Sequence, residues 1–286
     1  MPLPADTHIG RVRLRVSDLE RSIEFYRDTL GFSLSGRAHG LAALSTPDDA
    51  TGPGRELIVL EERPGIRPRS RRPTTTGLYH VAILLPRRGA LGQILRHVTE
   101  SGYPIRGASD HAVSESVYLD DPDGNGLELY ADRPRERWPY VDGYVAMTVD
   151  PFDAEGVLRD AGPPADWAMP SDTRIGHVHF TVSSLPDAER FYADTLGLDV
   201  TQRSLVGLLA VSAGGYHHHV NLNTWAGHSP GGDDDMAGLI DWELVIAHPD
   251  ARAAAEHRLE AGGYAIQRDA EVVRAADGDG NVVVLV

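Results

Sequence analysis

Residues 9–31 read IGRVRLRVSDLERSIEFYRDTLG, and residues 175–197 read IGHVHFTVSSLPDAERFYADTLG. At an offset of 166 the two align without a gap, sharing Ile, Gly, Val, Val, Ser, Leu and then FY-DTLG. So many ungapped matches make the chain two copies of one design, and such a repeat outranks any local motif. Within the first copy, Arg11–Val16 alternates apolar and polar residues as a half-buried strand does. Ser17 or Asp18 suits the cap of a helix running to Leu30, and Gly31 suits its end. Strands then fit 32–37, 40–45 and 55–61.

Each copy divides again. GLYHVAILLP (77–86) and GLIDWELVIA (238–247) both open on Gly-Leu and continue as an apolar strand. Each leads into a helical stretch, 88–101 or 249–261, and then a Gly-Tyr turn at Gly102-Tyr103 or Gly263-Tyr264. DPDGNGLELY (121–130) and DGDGNVVVLV (277–286) close them with a turn and a strand. The chain thus reads as four strand–helix–strands units: A (9–62), B (77–133), C (175–227) and D (238–286). A and B form a first half, 1–140, and C and D a second, 175–286. The connector 141–174 is expected to hold a short helix at 151–161. The Pro- and Arg-rich stretch 63–76 reads as a solvated linker. Residues 228–237, with their Asp triplet, read as an exposed loop whose charge is solvated, since nothing nearby supplies the other ligands of a calcium ion.

Composition narrows the chemistry. The chain has 286 residues, 41% of them apolar, enough to bury a sizeable core. There are no cysteines, which removes disulfides, thiolate catalysis and Cys-ligated metal sites. With 27 basic and 42 acidic residues the net charge is −15, so neither nucleic acid nor an anionic membrane is an expected partner. No apolar run suits a transmembrane helix and no signal peptide pattern opens the chain, so a cytoplasmic protein is expected. Thirteen histidines stand against five phenylalanines, and any metal site must draw on His, Asp and Glu.

The repeated V-S-x-L-x(5)-FY-DTLG, the turn and strand D-P-D-G-N-G-L-E-L, and the segment AGGYHHHVNLNTW together resemble the vicinal oxygen chelate superfamily. Within it they look like the two-domain catechol 2,3-dioxygenase group of extradiol ring-cleaving enzymes. The resemblance covers nearly the whole chain. It implies an α+β fold of four βαβββ modules paired into two half-open β-barrels. It also implies that metal ligands come from the start of a unit's first strand and from the Glu of its last.

At those positions A offers Arg11 and about Val59, and D offers Asp241 and Val284, so both look empty. B offers His80 and Glu128; C offers His177 and the triplet His217, His218, His219. Pairing B with C gathers two His and one carboxylate about one point, which is preferred over a C–D site that would have to rely on Asp241 or Glu243. His80, Glu128 and His177 are then the implied metal ligands. Two His and one carboxylate with open positions opposite is the non-heme Fe(II) arrangement, and Mn(II) prefers similar ligands. Strand alternation sends His218 one way and its neighbours the other, and its more apolar company makes it the inward candidate, as a fourth ligand or as the base that takes a hydroxyl proton. His217 and His219 are read as bonding across strands or to solvent, and His179 as a neighbour of the ligands or simple packing.

By resemblance, Tyr118 would hydrogen-bond a catecholate oxygen, and His111 would stabilise bound oxygen or act as an acid. The implied substrates are a small aromatic diol and O₂, with homo-oligomer formation left open. Two alternatives stand beside this reading. A glyoxalase-like isomerase or lyase would use His80, Glu128, His177 and a triplet His around zinc or nickel. A metal-free binding protein would need those positions emptied.

Overall fold

The structure, a computed structural model, describes residues 2–50, 52–69, 75–203, 205–226, 235–269 and 272–286. The first repeat forms a strand, His8–Val16, and a helix, Leu19–Glu24, that widens into a π turn, Phe25–Thr29. Asp18 caps the helix by accepting from the Arg21 amide, as its sequence position suggests. The second copy repeats this with strand Arg174–Thr181, helix Leu185–Glu189 capped by Ser184, and π turn Arg190–Thr195. Strands Ser33–Ala38, Leu41–Ser45 and Glu56–Glu62 complete the first unit close to their predicted bounds.

Two eight-stranded sheets result, and each joins distant parts of the chain. In one, His8–Val16 lies antiparallel to Gly238–Val245, so the stretch read as A pairs with that read as D. In the other, Gly77–Leu85 lies antiparallel to Arg174–Thr181, so B pairs with C. Each central strand also takes a parallel neighbour from the end of its own unit. Gly126–Asp132 pairs with Gly77–Leu85, and Val220–Asn223 with Arg174–Thr181. The sheets curl into half-open barrels.

Period-two alternation separates packing from chemistry. Val178 and Phe180 are fully buried in the hydrophobic core, while the alternate residues His177 and His179 face the opposite way, toward His80. In the other sheet Val12, Leu14 and Val16 pack in the core. There Arg11 and Arg13 face Glu243, Glu56, Asp241 and Glu61.

Reciprocal turns tie the sheets together. Asp123 accepts from the Ser17 amide at 3.0 Å, the Ser17 hydroxyl at 2.6 Å and the Arg21 guanidinium at 2.7 Å. Asp279 accepts from the Ser183 amide at 2.9 Å. The connector holds a helix, Ala154–Asp160, packed on the helix Arg88–Glu100. Much of the Asp-rich loop expected at 228–237 and part of the linker expected at 63–76 lie outside the described residues. Of what is described there, Asp235 pairs with Arg67. Among the described residues, no helix is long and apolar enough to cross a membrane.

Candidate metal centre

Three strands of the B–C sheet each deliver one side chain to a single point. His80 comes from Gly77–Leu85, Glu128 from Gly126–Asp132 and His177 from Arg174–Thr181. Leu127 and Leu129 pack in the core, so alternation turns Glu128 inward. Glu128 Oε2 lies 2.9 Å from His80 Nε2 and 3.3 Å from His177 Nε2, and the two nitrogens are 3.3 Å apart. All three residues are buried. Among the described residues they are the group of His, Asp and Glu side chains close enough to hold a metal ion.

The triangle fits a divalent cation on its donors and on its size. Three lone-pair atoms gathered out of water repel unless positive charge sits among them, and one shared proton satisfies only part of the set. With bonds of about 2.1 Å, neighbouring ligand atoms are about 3.0 Å apart on an octahedral face and about 3.4 Å apart in a tetrahedron. Two of the observed edges, at 3.3 Å, fall in that interval, and the third, at 2.9 Å, lies just below it. Burial pushes the His177 imidazole down to about 4, so it is neutral, as a ligand must be. Burial opposes ionisation of Glu128, but His177 and His80 outweigh it and hold its carboxyl well below the ordinary range. The Ser116 hydroxyl donates to Glu128 Oε1 at 2.6 Å, which leaves Oε2 for the histidines.

The centre opens on a cavity of about 420 Å³. Tyr118 and His111 stand on one wall as a bonded pair. His111 Nδ1 is 2.7 Å from the Thr148 carbonyl, so it carries hydrogen, and Nε2, 2.7 Å from the Tyr118 oxygen, accepts the phenol's hydrogen. Burial, followed by Glu128, pushes the Tyr118 phenol well above its ordinary value, so it stays protonated. His218 lines the cavity with its ring 4.1 Å from that of His177, outside the three-residue group.

The route to His218 by strand alternation is corrected by the fold. The strand begins at Val220, and the triplet sits in the turn before it. Val220 and Leu222 pack in the core, and the cavity receives Asn221 instead. Nor does His217 reach solvent: it is fully buried and bonded to Asp132, while His219 Nδ1 accepts from the Ala213 amide. His179 lines the cavity 4.7 Å from the His80 ring, its Nε2 held by the Asn223 amide.

Sequence reasoning missed the wall built by Met147, Thr148 and Val149, which lie in the stretch read as connector. Nothing in their composition marks them, since only the fold brings them across. Leu205, Leu208 and Trp225 supply the apolar side, and only Trp225 lay in a quoted motif.

The model of the glyoxalase/bleomycin resistance protein/dioxygenase superfamily matches residues 8–129. A catechol-2,3-dioxygenase of Bacillus subtilis is 42% identical over 95% of this chain and 94% of its own. Biphenyl-2,3-diol 1,2-dioxygenase 3 of Rhodococcus globerulus is 29% identical over 48% of this chain and 73% of its own. Among solved structures, glyoxalase I of Zea mays superposes with a TM-score of 0.58 at 17% identity, covering 98% of this chain and 92% of its own, a likeness of fold alone.

Proposed function

The chain belongs to the glyoxalase/bleomycin resistance protein/dioxygenase superfamily, and we propose that it is an extradiol ring-cleaving dioxygenase, inserting O₂ into a catechol-type diol next to the hydroxyls. The observation that carries the reading is the two-His, one-carboxylate triangle, which borders a cavity through His80 and Glu128. His80, Glu128 and His177 are its ligands, Fe(II) the metal, and Mn(II) a substitute with similar preferences. When bound, such a metal supplies adjacent sites for the diol and for O₂ and lets electrons pass between them. The modules are 9–62, 77–133, 175–227 and 238–286, since each repeats one order of strand, helix and turn. The stretch 141–174 joins them and lends Thr148 to the site.

The chain's own groups do the positioning and the proton work. Leu205, Leu208 and Trp225 offer an apolar wall to the ring face and keep water from it. His218 Nε2 is buried without a partner among the described residues and suits the first proton acceptor for a diol hydroxyl. The Tyr118 hydrogen is committed to His111 Nε2. A proton arriving on His111 Nε2 reverses that bond and frees the phenol hydrogen to turn toward a catecholate oxygen. His111, anchored by the Thr148 carbonyl, then stands as the acid on that wall.

The test is metal content and oxygen uptake, with protein purified anaerobically as wild type and as Glu128→Ala. Near-stoichiometric iron or manganese is expected in the wild type and not in the variant. One O₂ should be consumed per catechol cleaved, as the chemistry requires. Turnover of a substrate without O₂ uptake would replace this reading with an isomerase. Absence of metal after Fe(II) reconstitution would leave a binding protein.

A further inference from the structure

Three side chains outside the ligand triangle form a line of hydrogen bonds that ends in the cavity. Asp132 closes the strand that carries Glu128. Its Oδ1 lies 2.8 Å from His217 Nε2, and His217 Nδ1 lies 2.8 Å from His218 Nδ1. His218 Nε2, at the far end, is buried and without a partner among the described residues, and His218 lines the cavity. The His217 ring is fully buried between Tyr216 and Trp138, with ring centres 4.0 Å and 5.0 Å away. It has no room to turn.

The direction of the line follows from which atoms donate. A carboxylate only accepts, so the hydrogen of the first bond sits on His217 Nε2. A neutral His217 then offers a lone pair at Nδ1, and His218 Nδ1 must donate to it. That leaves a lone pair on His218 Nε2. Without the carboxylate, the hydrogen between the two Nδ1 atoms has no preferred owner, and part of the population would present N–H to the cavity.

We propose that Asp132, acting through His217, is a positioning residue that fixes the Nδ1–H tautomer of His218, so that Nε2 accepts a hydrogen bond from a hydroxyl of the bound diol. The role of the diol rests on the dioxygenase reading above; the tautomer does not. The ligand selected is therefore a hydrogen-bond donor at that position. A diol whose hydroxyl there is methylated loses this contact.

The experiment compares Asp132→Asn, His218→Gln and the double variant as metal-loaded enzymes, with metal content and urea midpoint measured for each. An asparagine keeps the shape, but its amide either accepts or donates, so the selection is lost. Asp132→Asn is expected to lower kcat about 10- to 100-fold, the loss seen when the partner that orients a metal-ligating histidine is removed. Metal content and KM should change little. The double variant should be no slower than His218→Gln, because residues acting as one unit are not additive. Losses that multiply would make Asp132 merely structural and overturn the proposal.

A second readout needs no turnover. In the zinc-loaded, diamagnetic protein, long-range ¹H–¹⁵N correlations identify the protonated nitrogen of His218, assigned by its disappearance in His218→Gln. Hydrogen on Nδ1 in the wild type, lost or mixed in Asp132→Asn, is the expected result. Hydrogen on Nε2 in the wild type would overturn the assignment. If catechols and O₂ are not consumed at all, the dioxygenase reading fails while the tautomer is still decided by this spectrum.

Discussion

Gly176 immediately precedes His177, and a Cβ there would lie 1.7 Å from the Tyr130 hydroxyl. That hydroxyl is 2.7 Å from the Tyr216 hydroxyl, so neither ring retreats easily. Gly176→Ala is therefore expected to cost about 1–3 kcal/mol by overpacking, seen as a lower urea midpoint, and to weaken metal retention by moving the backbone of His177. Unchanged stability and metal content would show that the rings give way freely. The same positions in the other sheet explain why, among the described residues, it shows no such cluster. Arg11 stands where His177 does, Asp241 where His80 does and Val284 where Glu128 does. Arg13 pairs with Asp241, and Arg11 donates to Glu243 at 2.6 Å. A guanidinium brings the positive charge there. This contrast was legible in the sequence, because a repeat lets one unit be read against another. The orientation of the His triplet was not, because alternation holds only inside a strand and the strand begins at Val220.

The duplicated D-x-D-G-N turn is built on a buried carboxylate of its own, apart from the site. Asp121 accepts from the amides of Asp123 and Asn125 at 2.9 and 2.8 Å and from the Asn125 side chain at 2.8 Å, with Tyr26 donating at 3.3 Å. Asp277 repeats the pattern with Asp279, Asn281 and Tyr192. Despite its donors, burial pushes the Asp121 carboxyl up to about 6. The folded chain therefore binds this proton more tightly than the unfolded chain does. Its contribution to stability is fully present below about pH 4 and is lost as the pH rises through about 6, an effect of roughly 2–3 kcal/mol. Urea midpoints of wild type and Asp121→Asn at several pH values should diverge across that window and run parallel above it. Parallel curves throughout would mean that the donors offset burial and leave the carboxyl unshifted. The turn itself was plain in the sequence from its Asp-Gly-Asn signature. Its burial was not, since that depends on Tyr26 arriving from the π turn of the first unit.

For the whole molecule, what decides behaviour is that neither barrel belongs to one half of the chain. The central strand pairs, His8–Val16 with Gly238–Val245 and Gly77–Leu85 with Arg174–Thr181, both cross between the halves. Cut at the connector, a first half of residues 1–140 would expose the edges of two strands whose partners are gone. Both of these strands are rich in fully buried residues: Val12, Leu14 and Val16 in one, Val81 and Ile83 in the other. Unpaired, apolar central strands aggregate or stay unfolded. The proposed metal centre is divided too, with His80 and Glu128 on one piece and His177 on the other. Residues 1–140 and 141–286 expressed singly are thus expected to show no cooperative unfolding and no retained metal. Expressed together they should associate, by size exclusion, into a particle of full-chain size that binds metal as the intact chain does. A cooperative, monomeric 1–140 would show that the halves are independent units. It would then require the sheet pairing described above to be rebuilt within each half.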